Sequence, residues 1–79
     1  MERYRNLSGD SGVDAYEIGD DVIKVRFRPG VVYWYTEASV GARHLAVLKR
    51  LALRGQGLGT YISQHPDVKG GYARKEPDD

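Results

Sequence analysis

The sequence predicts an α+β fold in which a three-stranded antiparallel β-meander packs against one long amphipathic α-helix, with a short second helix closing one end. Two turn signals, Gly19-Asp20-Asp21 and Pro29-Gly30, divide a stretch rich in β-branched and aromatic residues into three parts. After Thr36 the spacing of apolar residues changes to the helical period. A chain of 79 residues has room for one such domain.

The three strands are expected at residues 13–18, 22–28 and 31–36. Apolar and cationic side chains alternate along the middle segment: Ile23, Lys24, Val25, Arg26, Phe27 and Arg28. This period of two is typical of a strand with one buried face. The middle strand is therefore the best supported of the three.

Two helices are expected after the strands. Ser39 is a suitable N-cap for a helix of about four turns, and Gly55 is a suitable C-cap residue at its end. Helical spacing places five side chains on one stripe: Val40, His44, Val47, Leu48 and Leu51. A short helix is expected at 58–65, because Pro66 stops it.

The ends of the chain have a different composition from its middle. Residues 1–12 are rich in Gly, Ser and Asn, which predicts a flexible N-terminal segment. The folded domain is expected at 13–66, and residues 67–79 are expected to form a tail that is extended or disordered at its acidic end.

Composition argues against several classes of function. There is no cysteine, which excludes disulfides, thiolate metal sites and a cysteine nucleophile. Two lone histidines do not make a metal site, and His44 is expected to be half-buried and hydrogen-bonded. Ser39 and Ser63 lack an evident base. We therefore expect no enzyme activity, no catalytic or metal-binding residue and no cofactor.

The chain also lacks the apolar segments that membranes and secretion require. Its N-terminus carries charged and small polar residues where a signal peptide has an apolar core, and no later stretch approaches the ~20 apolar residues of a membrane span. We expect a cytoplasmic protein that does not enter a membrane.

A net charge of +1 conceals a strong partition of charge along the chain. The first 21 residues hold six acids and two bases, whereas residues 22–75 hold ten bases and two acids, a local charge of +8. Such a basic segment favours a polyanionic partner.

The turn at Pro29-Gly30 decides which aromatic side chains face outward. A two-residue type II turn fits Pro followed by Gly, and it pairs Arg26 with Tyr33. One sheet face then holds two tyrosines and three cations: Tyr33, Tyr35, Lys24, Arg26 and Arg28. A loop with one more residue would instead turn both tyrosines inward and Trp34 outward. The turn chemistry favours the first register without excluding the second.

Aromatic rings beside cations on an open sheet suggest binding of RNA or single-stranded nucleic acid. Tyr33 and Tyr35 would stack on bases, and the cations of the same strand face would contact phosphates. Three cations of the long helix, which contains no acid, would extend this surface: Arg43, Lys49 and Arg50. The glycine-bearing segment 54–61 lacks a P-loop ending, which favours a helix cap and tight connection; a secondary surface for a nucleic-acid backbone is the alternative.

Two alternatives use the same residues. Tyrosine is a common strand residue that packs on arginine stems, so the face is also explained by stability alone. A protein-interaction or self-association module would use these aromatics as interface anchors, or an unpaired sheet edge as a docking site. Because phosphate contacts are screened by salt, the salt dependence of binding separates nucleic acid from protein partners.

The order of these features resembles the KTSC domain, a small module named for the C-termini of some lysyl-tRNA synthetases and also found free-standing in bacteria and phages. The resemblance covers residues 13 to about 65. Phe27 and Gly30 match its strand-end Phe and turn Gly, and Tyr33 and Tyr35 match its Tyr-x-Tyr. It implies RNA binding, a role proposed from the synthetase context. Pro29, where Asn or Asp is usual, and the acidic tail depart from the family pattern.

Overall fold

The computed structural model describes residues 1–9 and 11–77 and shows an α+β fold, as predicted. The elements in chain order are β1 (Glu2–Arg3), β2 (Val13–Ile18), β3 (Val22–Phe27), β4 (Val31–Thr36), α1 (Glu37–Val40), α2 (Ala42–Arg54), α3 (Leu58–Gln64), α4 (Pro66–Lys69) and β5 (Arg74–Pro77). The strands form one antiparallel sheet in the order β1-β2-β3-β4-β5. The sheet of the described residues therefore has five strands instead of the predicted three.

Both additional strands come from segments expected to lack regular structure. Glu2 and Arg3 pair with Tyr16 and Ala15 of β2, and β5 pairs with β4. Tyr4, which follows β1, is only 3% exposed, and its hydroxyl accepts a hydrogen bond from the Leu58 backbone N–H at 3.2 Å. The N-terminal segment thus contributes to the core. The expected acidic end of the tail, Asp78 and Asp79, lies outside the described residues.

The β3–β4 hairpin has the register opposite to the favoured one. Phe27 pairs with Val31, Val25 with Tyr33 and Ile23 with Tyr35. Three residues, 28–30, connect the strands; the Arg28–Pro29 peptide is cis and Gly30 has a φ of 144°. The loop is therefore not the two-residue type II turn. Because one extra loop residue exchanges the faces, both tyrosines face the helices and Trp34 faces outward.

The core lies between the inward sheet face and helices α2 to α4. Ile23, Val25 and Tyr35 from the sheet join one buried cluster with side chains of all three helices. Helix α2 contributes Leu45, Leu48 and Ala52. Leu48 belongs to the predicted stripe, whereas Leu45 and Ala52 each follow a predicted stripe residue by one position. Ser39 is not the N-cap of this helix as predicted. It lies in the short helix α1, where it forms a capping box with Thr36, and α2 begins only at Ala42.

The C-terminus of α2 is capped as the sequence predicts. Gly55 adopts the left-handed conformation with a φ of 78°, and its backbone N–H donates hydrogen bonds to the carbonyls of Leu51 and Ala52. The guanidinium of Arg5 donates to the Leu53 and Arg54 carbonyls, both at 2.9 Å. An N-terminal residue thereby satisfies helix carbonyls that lack intrahelical partners.

A hydrogen-bonded group joins α2 to α3 and α4. His44 is half-buried, its Nε2 lies 2.9 Å from Asp67 Oδ2, and its Nδ1 lies 2.6 Å from the Tyr61 hydroxyl. Because a carboxylate only accepts, Nε2–H donates to Asp67, and a neutral His44 accepts from Tyr61 at Nδ1. The hydrogen bond from His44 is the main cause that lowers the pKa of Asp67. The expectation that His44 is half-buried and hydrogen-bonded is confirmed.

Candidate functional site

The outward sheet face does not carry the predicted pair of tyrosines. Lys24 lies opposite Trp34 there, and Arg26 lies opposite Val32. Tyr33 and Tyr35 lie on the other face, so the platform of two tyrosine rings beside Lys24 and Arg26 is a wrong prediction. Its physical cause is the three-residue loop at 28–30.

The cations of the outward face are already engaged by neighbouring acids and by Trp34. Lys24 Nζ lies 3.4 Å from Glu17 Oε2, and Arg26 Nη2 lies 3.0 Å from Asp14 Oδ2. Lys24 Nζ also lies 4.1 Å from the centre of the Trp34 ring, and the Arg74 guanidinium lies 5.2 Å from it. With acids and bases paired across it, this face is poorly suited to a polyanion.

Four aromatic side chains instead form a cluster on the inward face, where Tyr35 belongs to the buried core and Phe27 and Tyr33 pack against it. Tyr33 makes edge-to-face contacts with Phe27 at 5.3 Å and with Tyr72 at 4.9 Å between ring centroids. Its ring is nearly parallel to that of Tyr35, at 6.3 Å. The cluster brings together β3, β4 and the segment after α4.

These rings line a cleft with a volume of about 370 Å³. Gly59, Ile62 and Ser63 of α3 form the opposite wall. The volume lies in the range of roughly 300–1,000 Å³ that is usual for sites that bind small molecules. A nucleobase or a nucleotide is of suitable size for it.

The cleft is bordered by cations. Arg28 and Lys69 belong to its lining, and Lys75 Nζ lies 5.6 Å from the centre of the Tyr33 ring. No acidic side chain of residues 1–9 or 11–77 lines the cleft, and within those ranges none of the three cations forms an ion pair. An anion near this rim therefore meets uncompensated positive charge.

Tyr35 places a polar group inside this largely apolar cleft. Its side chain is 1% exposed and lines the cleft, yet its hydroxyl makes no hydrogen bond within the described part of the chain. Burial is the main cause that raises the pKa of Tyr35, so the phenol stays neutral. The hydroxyl oxygen itself is not fully buried, and it is therefore available to a ligand in the cleft.

The eight predicted site residues are divided among three places. Tyr33, Tyr35 and Arg28 meet in the cleft, whereas Lys24 and Arg26 lie on the outward face. The three helix cations lie on α2 and do not line the cleft: Arg43, Lys49 and Arg50. Lys49 Nζ donates to the Asp20 carbonyl at 2.7 Å.

Sequence reasoning missed four contributors to the cleft: Phe27, Lys69, Tyr72 and Lys75. The sequence predicts Phe27 on the buried face of the middle strand and the other three residues in the tail. The composition of the tail contains one usable signal, since Tyr72 and Val68 are its large apolar residues and indicate anchoring. The pairing of Lys75 with Tyr33 is a long-range contact that no local pattern encodes.

Comparison of the chain with family models, curated proteins and solved structures gave no match. Among the residues the structure describes, no three His, Asp or Glu side chains are grouped so as to hold a metal ion. None of the described helices combines the length and the apolar character needed to cross a membrane. Fold and site together define a small α+β domain with an aromatic cleft bordered by cations.

Proposed function

We propose that this protein is a non-catalytic cytoplasmic module that binds RNA or single-stranded nucleic acid. A base enters the cleft between Tyr33, Tyr35 and Tyr72, and the adjoining phosphates contact Arg28, Lys69 and Lys75. The observation that carries the proposal is the combination of aromatic walls with a cationic rim that no described acid compensates.

The cleft offers the two interactions that sequence-tolerant binding of single strands requires. A base stacked on an aromatic side chain contributes about 1–3 kcal/mol, and every base has a face that stacks. The cations contribute by releasing counterions from the phosphates. We also propose KTSC membership, because the two tyrosines that match the family motif both line the cleft.

The alternative of self-association through a sheet edge has less support. The edge strand β1 has two residues, and the other edge, β5, has four residues, of which three are charged and the last is proline. Short, charged edges and proline disfavour pairing with another strand. A protein partner at the aromatic cleft remains the competing function, and salt dependence distinguishes it.

Binding of a labelled uridine octamer, measured by fluorescence anisotropy, should weaken steeply with salt. Three phosphate contacts on a single strand give a slope of about −2, so affinity should fall roughly 20-fold between 50 and 200 mM salt. Arg28→Gln should weaken binding several-fold and make the slope shallower by about 0.7.

Arg50→Gln is the matched control, since it removes the same charge from an exposed site on α2 away from the cleft. Its effect should be clearly smaller than that of Arg28→Gln. Absence of binding at 50 mM salt, or equal losses in the two variants, would refute the proposed site. Salt-insensitive capture of a protein partner would favour the competing function.

A further inference from the structure

A second cavity adjoins the aromatic cleft. It has a volume of about 270 Å³ and shares Phe27, Gly59 and Ser63 with the cleft. Gly59 lies on this common wall, where a Cβ would sit 3.1 Å from Ser11 Oγ. The absence of a side chain at Gly59 therefore keeps room along the wall that both cavities share.

Hydroxyl groups line this second cavity: Ser8, Ser11, Thr60 and Ser63. Ser63 Oγ donates to the Thr60 carbonyl and keeps its lone pairs, while Ser11 Oγ accepts from the Val13 N–H and keeps its proton. The hydroxyls of Ser8 and Thr60 make no hydrogen bond within the part of the chain that the structure describes. The cavity thus offers both donors and acceptors.

The second cavity differs from the cleft in charge. None of its described lining residues is ionisable, whereas the cations lie on the rim of the aromatic cleft. A phosphate would therefore favour the cleft rim, and a neutral polar group would favour the hydroxyl cavity. The Tyr35 hydroxyl, which lines the cleft and makes no hydrogen bond within the described residues, is a further polar group open to the same ligand.

The aromatic walls, the cationic rim and the hydroxyl cavity each match one part of a ribonucleotide. Its base suits the aromatic walls, its phosphate suits the cations, and its 2′-hydroxyl both donates and accepts hydrogen bonds. We infer, resting on the proposed function, that the hydroxyl cavity holds the ribose of the bound nucleotide and that the protein prefers RNA to DNA. Thr60 and Ser63 are the residues assigned to the 2′-hydroxyl.

The test compares oligo-uridine with oligo-deoxyuridine of the same length and label, which differ only in the 2′-hydroxyl. The wild type should bind the RNA roughly 3- to 10-fold more tightly at 50 mM salt, as expected for one or two hydrogen bonds. The double variant Thr60→Val, Ser63→Ala should bind the two oligomers with equal affinity, because it lacks the two hydroxyls assigned to the 2′-hydroxyl. Thermal unfolding of the variant verifies that it is folded.

The outcomes separate this inference from the function on which it rests. Equal affinity of the wild type for both oligomers would overturn the inference and leave nucleic-acid binding standing. A preference for RNA that survives in the double variant would overturn the assignment to the hydroxyl cavity. Failure to bind either oligomer would remove the proposed function and this inference with it.

Discussion

Replacement of Tyr35 by alanine should destabilise the domain by about 3–5 kcal/mol, the usual loss for removal of a large buried aromatic side chain. Tyr35 is 1% exposed and packs in the main cluster with Ile23 and Val25. Domains have a free energy of unfolding of only about 5–15 kcal/mol, so at least about a fifth of the stability would be lost, and all of it at the low end of that range. The urea midpoint, followed by circular dichroism, measures the change.

Trp34→Ala is the control, because the neighbouring side chain faces the other way. Its loss of stability should be nearer 1–2 kcal/mol, the sum of two cation–π contacts with Lys24 and Arg74 on the outward face. Tyr35→Phe should be close to neutral, since the hydroxyl has no partner among the described residues. A larger loss for Trp34→Ala than for Tyr35→Ala would show the opposite hairpin register.

Gly71→Ala should destabilise the domain by about 1–3 kcal/mol, as overpacking does. A Cβ at this position would overlap the backbone carbonyl of Asp67, which cannot rotate away as a side chain would. Relief requires movement of α4 or of the segment that follows, and these carry Lys69 and Tyr72 to the cleft. The variant should therefore also bind oligo-uridine more weakly.

The adjacent glycine provides a matched comparison for that variant. Gly70 has a φ of −94°, and a Cβ there would lie 3.5 Å from the Pro66 carbonyl oxygen, an ordinary contact. Gly70→Ala should consequently leave both stability and binding nearly unchanged. Equal unfolding midpoints for the two alanine variants would contradict the close approach at Gly71.

The local elements follow from patterns that act over a few residues. Alternation along β3 and the turn signals beside it place the three central strands almost to the residue. Gly55 ends α2 as predicted, because a left-handed C-cap is a local requirement. These features depend only on residues that are close together in the chain, so a single sequence is enough to predict them.

The site depends on contacts that sequence neighbours do not encode. Two residues in β1 are too few to show a period, and β5 is recognisable only by its pairing with β4. The Pro-Gly pair fits more than one loop length, and a change of one residue exchanges the faces of Tyr33 and Trp34. Arg28 and Tyr33 therefore line the cleft and not the outward surface predicted for them.

The most direct test of the cleft is a titration of ¹⁵N-labelled protein with oligo-uridine, followed by NMR. The chain contains one tryptophan, so the indole N–H of Trp34 gives a single resolved signal on the outward face. The proposal predicts that amide signals of Arg28, Tyr33 and Lys69 shift while the indole signal stays in place. Movement of the indole and Lys24 signals with an unchanged cleft would contradict it.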